Sequence, residues 1–134
     1  MARKILVADV PELDARLKQV LAGERVSFVR TVNEAIAALK REDFALLLVS
    51  VHFDDSRMFD LLREVRIDGR NRGIPIICVR EPELGFTAIS GSALEVTCRA
   101  LEADAFLDLA HMADEAERDA ALRTALQQYL PISG

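Results

Sequence analysis

The chain has 134 residues, of which 51% are hydrophobic and 29% charged, and its formal net charge is −5. This length fits one domain with a buried core, and the composition excludes a disordered chain. The acidic balance argues against a nucleic-acid-binding surface, and no apolar run is long enough to cross a bilayer, so we expect a cytoplasmic protein. Its two cysteines, Cys78 and Cys98, form no CxxC pair and predict buried apolar side chains rather than a disulfide or zinc site.

Short β-rich segments alternate with helical patterns through the first half of the chain. Residues 4–8 predict a strand, a helix with apolar positions at Leu13 and Leu17 ends at Gly23, and residues 25–30 predict a second strand. Thr31 and Glu34 have the spacing of a capping box, which predicts a helix from there to about residue 41. Residues 44–51 give the strongest strand signal, because they are apolar on both faces, as a central parallel strand must be.

The same alternation continues through the second half. Residues 58–67 predict a helix, 74–79 a fourth strand, 93–103 a helix, 105–107 a short fifth strand and 114–130 a last helix. Residues 80–92 form a connection that is long for such a unit. These β–α units predict a flavodoxin-like, doubly wound α/β fold, with a five-stranded parallel sheet in the order 2-1-3-4-5. We expect a single domain over residues 1–134, with no output domain.

The strand-end loops, where ligands bind in this architecture, exclude several kinds of site. The first loop, residues 8–12, contains no glycine, which excludes a dinucleotide-binding or Walker loop. Residues 90–92 do not form the G-x-S-x-G turn of a hydrolase nucleophile. His52 and His111 have no partner at metal-ligand spacing. We therefore expect no enzymatic activity, cofactor or metal.

Five segments in their order and spacing resemble response-regulator receivers, the CheY-like family, over nearly the whole chain except residues 80–92. They are KILVADVPEL (4–13), DFALLLVSV (43–51), LLREVR (61–66), IPIICV (74–79) and LEADAFL (101–107). The resemblance implies a phosphorylation pocket with an acidic pair after strand one, a phospho-accepting Asp ending strand three, a Thr or Ser after strand four and a Lys at strand five. The matching residues here are Ala8, Asp9, Ser50, Arg80 and Leu109.

This pocket is degenerate, because forming an acyl phosphate needs a carboxylate nucleophile. No carboxylate lies between Asp43 and Asp54, and the lysines all occur in the first 40 residues, so a shifted alignment restores neither group. We hypothesise that Arg80 pairs with Asp9 and removes the electrostatic need for Mg²⁺. The pattern predicts a pseudo-receiver of two-component-type signal transduction that acts by phosphorylation-independent protein–protein interaction, with a signalling partner or as a homodimer.

Two other functions stay open at this point. One is an atypical receiver that is phosphorylated through Asp54 or Asp55 with Mg²⁺, and the other is a small-ligand binder that uses a pocket beneath residues 80–92. The resemblance implies docking at the face built from the fourth helix, fifth strand and fifth helix. Apolar residues near that face could bind a partner, and those in the long connection could equally form a lid. The candidates are Leu109, Ala110, His111, Met112, Phe86 and Ile89.

Overall fold

A five-stranded parallel sheet forms the centre of the molecule. The computed structural model describes residues 4–67, 70–80, 91–112 and 114–130. Its strands run in the order β2-β1-β3-β4-β5, so the predicted flavodoxin-like order is confirmed. The strands are β1 (Lys4–Ala8), β2 (Arg25–Val29), β3 (Leu46–Ser50), β4 (Ile76–Arg80) and β5 (Ala105–Asp108).

Helices connect successive strands, and most lie where the sequence predicts them. A short 3-10 turn, Pro11–Leu13, precedes the first helix, and another, Leu109–His111, follows β5. Within the described ranges, no helix is long and apolar enough to span a membrane. The helices are α1 (Asp14–Val20), α2 (Val32–Arg41), α3 (Phe53–Ser56), α4 (Met58–Ile67), α5 (Gly91–Ala100) and α6 (Glu115–Tyr129).

The observed helix starts show which local sequence signals predicted them correctly. The predicted capping box is confirmed, because the Thr31 side chain accepts the backbone N–H of Glu34 at 3.1 Å. Helix α5 begins and ends earlier than predicted, and residues 81–90 before it lie outside the described part of the chain. The single turn α3 was not predicted. Its Asp54 and Asp55 have φ of 48° and 54°, a left-handed conformation that aspartate tolerates better than most residues.

The sheet separates two cores, because successive side chains of a strand point to opposite faces. On one face, α2, α4 and α5 cover residues such as Leu6 and Leu47. On the other face, α1 and α6 cover residues such as Ile5 and Leu48. Burial on both faces explains why the β3 segment is apolar throughout. The two cysteines are buried free thiols, as the sequence predicts.

A buried asparagine fixes the chain where it enters β3, at the edge of the sheet opposite the carboxyl ends of the strands. The Asn71 amide nitrogen donates to the carbonyl oxygens of Leu39 at 2.6 Å and Glu42 at 3.0 Å. Its side-chain oxygen accepts the backbone N–H of Phe44 at 3.2 Å. Asn71 is 5% exposed, so these bonds satisfy backbone groups that water cannot reach. The end of α2 is thereby held against the start of β3.

Candidate functional site

The carboxyl ends of all strands meet at one edge of the sheet, which brings the predicted pocket residues to the same region. Ser50, which the sequence resemblance matches to the phospho-accepting aspartate of receivers, ends β3. It is fully buried, and its hydroxyl oxygen accepts the backbone N–H of His52 at 3.1 Å. Ser50 is therefore a small satisfied side chain, and it supplies no carboxylate to the pocket.

Asp9 follows β1 and is bound by an arginine from the neighbouring strand rather than from β4. Arg30 directly follows β2, and its guanidinium donates from Nη1 to Asp9 Oδ1 and from Nη2 to Asp14 Oδ2. The Asp9 side chain is completely buried, whereas those of Asp14 and Arg30 are 23% and 36% exposed. One guanidinium thus joins the end of β1, the start of α1 and the end of β2.

Arg80 has a different carboxylate partner. Its Nη1 lies 3.4 Å from Asp108 Oδ2, across the β4–β5 ladder in which these two residues are paired. The other carboxylate oxygen of Asp108 accepts the N–H of Ala110 at 3.2 Å. The expected Asp9–Arg80 ion pair is therefore wrong. The physical reason is register, because Arg80 stands beside Asp108 on the adjacent strand while Arg30 stands beside the end of β1.

The pKa values follow from burial and from these contacts. Burial raises the pKa of Asp9 to about 8, aided by a hydrogen bond with Asp14 and by its negative charge, while Arg30 acts in the opposite direction. Burial also tends to raise the pKa of Asp14, but the hydrogen bonds of Asp14 with Arg30 and Asp9 outweigh this effect, and the pKa is lowered. The pKa of His52 is lowered by burial and then by the positive charge of Arg80. Of the two carboxyl groups bound by Arg30, Asp9 is therefore the one whose pKa is raised and Asp14 the one whose pKa is lowered.

Leu109, which the sequence resemblance matches to the lysine of receivers, is part of the apolar core. Leu109 is 1% exposed and belongs to the core covered by α1 and α6. Of the corner expected to bind a partner, Ala110 and Met112 are partly exposed, and Met112 packs against that core. The buried Leu109 cannot contribute to a docking surface. Phe86 and Ile89 lie outside the described residues, as does the side chain of His111.

The two carboxylates after β3 are placed differently from each other. Asp54 Oδ2 accepts the backbone N–H of Val32, the first residue of α2, at 2.8 Å and lies 3.4 Å from Arg57 Nη1. It therefore serves a helix terminus, where N–H groups lack partners within the helix. Asp55 is exposed at the tip of the left-handed turn. The described ranges contain no group of three or more His, Cys, Asp or Glu side chains that could hold a metal.

Sequence reasoning missed Arg30 and Asp14. A usable signal existed, because Arg30 directly follows β2 and the predicted strand order places β2 beside β1. An arginine leaving the end of β2 therefore starts next to the residue after β1, which is Asp9. Neither residue has a counterpart in the receiver pocket, so the resemblance did not indicate them.

Comparisons with known proteins identify the fold. No protein-family model and no curated protein matches the chain. Among solved structures, a response regulator from Hahella chejuensis is 17% identical with a TM-score of 0.80, covering 99% of this chain and 98% of that one. The phosphorylated cyanobacterial phytochrome response regulator RcpA is 18% identical with a TM-score of 0.77, covering 100% and 98%.

A third structure is the receiver domain of a sensor histidine kinase from Pseudomonas aeruginosa, with a magnesium ion coordinated in its active-site cleft. It is 21% identical with a TM-score of 0.72, and the match covers 96% of this chain and 98% of that domain. At these identities the similarity establishes the fold. The chain therefore has the fold of response-regulator receiver domains over its length.

Proposed function

We propose that the chain is a receiver-like module of two-component-type signal transduction that works through protein–protein contact and without aspartyl phosphorylation. The observation that carries this proposal is the pocket at the carboxyl edge of the sheet. Ser50, the residue that the sequence resemblance matches to the phospho-acceptor, is buried, and the guanidinium of Arg30 binds the Asp9 carboxyl group.

The chemistry of phosphoryl transfer supports this assignment. Transfer to a receiver needs a carboxylate nucleophile and cationic groups that neutralise the charge on the moving phosphoryl group. At the acceptor position Ser50 has a neutral hydroxyl group, and at the lysine position Leu109 lies in the core. The two arginines of the region, Arg30 and Arg80, are engaged with carboxylates of the chain itself. The pocket thus has neither the nucleophile nor an uncommitted cation at the receiver positions.

The experiment is an amide NMR titration with Mg²⁺ and then with beryllofluoride, a phosphoryl mimic. We expect the amide signals of Asp9, Ser50 and Arg80 to stay unchanged, while a phosphorylatable receiver treated in parallel shows saturable shifts. Saturable shifts in this chain would overturn the proposal. If they disappeared in D54N or D55N, the carboxylate removed would be the acceptor of an atypical phosphorylatable receiver.

The contact surface that we propose lies on α5 and β5. Val96 on the outer side of α5 is 69% exposed, and β5 is the edge strand of the sheet. An edge strand has backbone N–H and C=O groups that can pair with a second chain, and Val96 provides an exposed apolar side chain on the helix that leads to this strand. We expect V96D to abolish self-association or partner binding, measured by light scattering and pull-down. The control is K40D, which places the same aspartate at the exposed Lys40 near the end of α2, a helix that is not adjacent to β5, and it should leave binding intact.

A further inference from the structure

The cluster formed by Asp9, Asp14 and Arg30 has two carboxyl groups for one guanidinium. Arg30 binds one oxygen of each group, Oδ1 of Asp9 and Oδ2 of Asp14. The remaining oxygens, Asp9 Oδ2 and Asp14 Oδ1, are buried and have no hydrogen-bond partner. A buried carboxylate oxygen without a hydrogen-bond donor is costly, so this cluster is incompletely hydrogen-bonded when both groups are ionised.

One added proton would supply the hydrogen bond that these two buried oxygens lack. The guanidinium of Arg30 holds the two carboxyl groups side by side, one on each terminal nitrogen, and a hydrogen bond between them contributes to the shifts of both pKa values. A protonated carboxyl group has one O–H donor, so a proton on Asp9 can be donated to Asp14 and satisfy both buried oxygens at once. It also removes the repulsion between two neighbouring negative charges, for which only one cation is present in the cluster. The raised pKa of Asp9 and the lowered pKa of Asp14 agree with this placement of the proton.

We propose that Asp9 and Asp14 share a single proton, and that this proton is the signal which the pocket senses in place of a phosphoryl group. The inference deepens the proposed function and rests on it, since a phosphorylated pocket would have another input. Loss of the proton leaves two carboxylates against Arg30 and drives the start of α1 away from the end of β1.

A continuous set of contacts leads from the shared proton to the surface. Arg30 is followed by Thr31, the N-cap of α2, and its own N–H donates to Glu34 Oε1 at 2.8 Å. The next residue, Val32, donates its N–H to Asp54 in the turn after β3. A shift of Arg30 on deprotonation therefore acts on the start of α2 and on that turn, the same edge of the sheet at which receivers respond to phosphorylation.

The other charged groups at this edge have partners of their own. On α1, Lys18 acts on Asp14 and favours its ionised form. On the turn after β3, Asp54 is bound by Val32 and lies near Arg57. On β4, Arg80 is paired with Asp108, and its charge acts on His52. The proton on Asp9 is therefore governed by burial, Asp14 and Arg30 rather than by these groups.

The test is a carbon NMR titration of the aspartate side-chain carboxyl carbons. We expect the Asp9 signal to move with a midpoint near 8, and the amide signals of Arg30 and Val32 to follow the same midpoint. In D14N the midpoint should fall by about one unit or more, because the neighbouring charge is gone. In R30Q it should rise, because the favourable cation is gone. D60N removes an exposed carboxylate of α4 that also pairs with arginines, and it should leave the midpoint unchanged.

Several results would overturn the inference. An Asp9 titration near the ordinary value of 3.8, or a midpoint that neither D14N nor R30Q moves, would show that no proton is shared. The wild-type titration decides this even if a variant fails to fold. Beryllofluoride separates the two proposals. Saturable amide shifts on addition of beryllofluoride would overturn the proposed function. If neither beryllofluoride nor a change of pH shifted these signals, only the shared proton would be overturned.

Discussion

The proton on Asp9 makes the stability of the fold depend on pH in a direction that a single substitution can test. The side chain is completely buried, and burial together with Asp14 raises its pKa from 3.8 to about 8. Between those values the folded protein binds a proton that the unfolded chain has lost. The contribution of protonated Asp9 to stability is therefore fully present below pH 3.8. It falls as the pH rises and is lost once the pH passes about 8.

Asp9→Asn removes this titration and imitates the protonated group, because an amide has nearly the same shape and also has a donor for Asp14. For one proton, the free energy of unfolding changes by about 1.4 kcal/mol per pH unit. The free energy of unfolding of the wild type should therefore fall by about 3 kcal/mol between about pH 5 and about pH 7 because of Asp9. D9N should lack this loss. Its free energy of unfolding minus that of the wild type should rise by about the same amount over that interval.

Urea denaturation of both proteins at several pH values measures this difference. Taking the difference removes the contributions of groups common to both proteins, such as His52, whose lowered pKa acts on stability in the opposite direction. D60N, which removes an exposed carboxylate, serves as the control and should shift the curve without changing its slope. If the wild-type and D9N curves run parallel, Asp9 is ionised in the folded protein across this range and the account of the pocket is wrong.

Three further substitutions test the local structure by urea denaturation. Ser50→Asp places a carboxylate at a fully buried position and should cost more than about 2 kcal/mol, whereas S50A should cost about 1 kcal/mol; similar values for both would contradict a closed pocket. Asn71→Ala leaves the N–H of Phe44 without its acceptor and should cost about 2 to 3 kcal/mol. Thr31→Ala removes the cap that accepts from Glu34 and should cost about 1 kcal/mol; an unchanged free energy of unfolding would show that this cap does not stabilise α2.

The fold was predictable because its signals are local and repeat along the chain. The apolar residues 44–51 indicated a central strand, and the structure has β3 there, buried at every position. The capping box at Thr31 located the start of α2 to within one residue. The left-handed turn after β3 was not predictable in this way, because its conformation at Asp54 depends on a bond to Val32 in a different β–α unit.

The ion pairs of the site were harder to predict than its positions. Ala8, Asp9, Ser50 and Arg80 lie at strand ends as expected, because parallel strand order alone brings those ends together. Which arginine binds Asp9 depends instead on side-chain reach and strand register. A long flexible arginine can contact several strand ends, and the sequence of the strands does not predict which of these ends it binds.

Charge balance differs between the two ion-pair groups of this edge. Arg80 is paired with Asp108, whereas Asp9 and Asp14 share the single guanidinium of Arg30, so with every group ionised these last three residues carry one net negative charge. Because Asp9 is buried, that charge would lie where solvation is poorest. A divalent cation would overcompensate it, whereas one proton on Asp9 makes the three residues neutral. In the mechanism that we propose, one proton is enough to neutralise these three groups, and we therefore expect pH rather than phosphorylation to control the pocket.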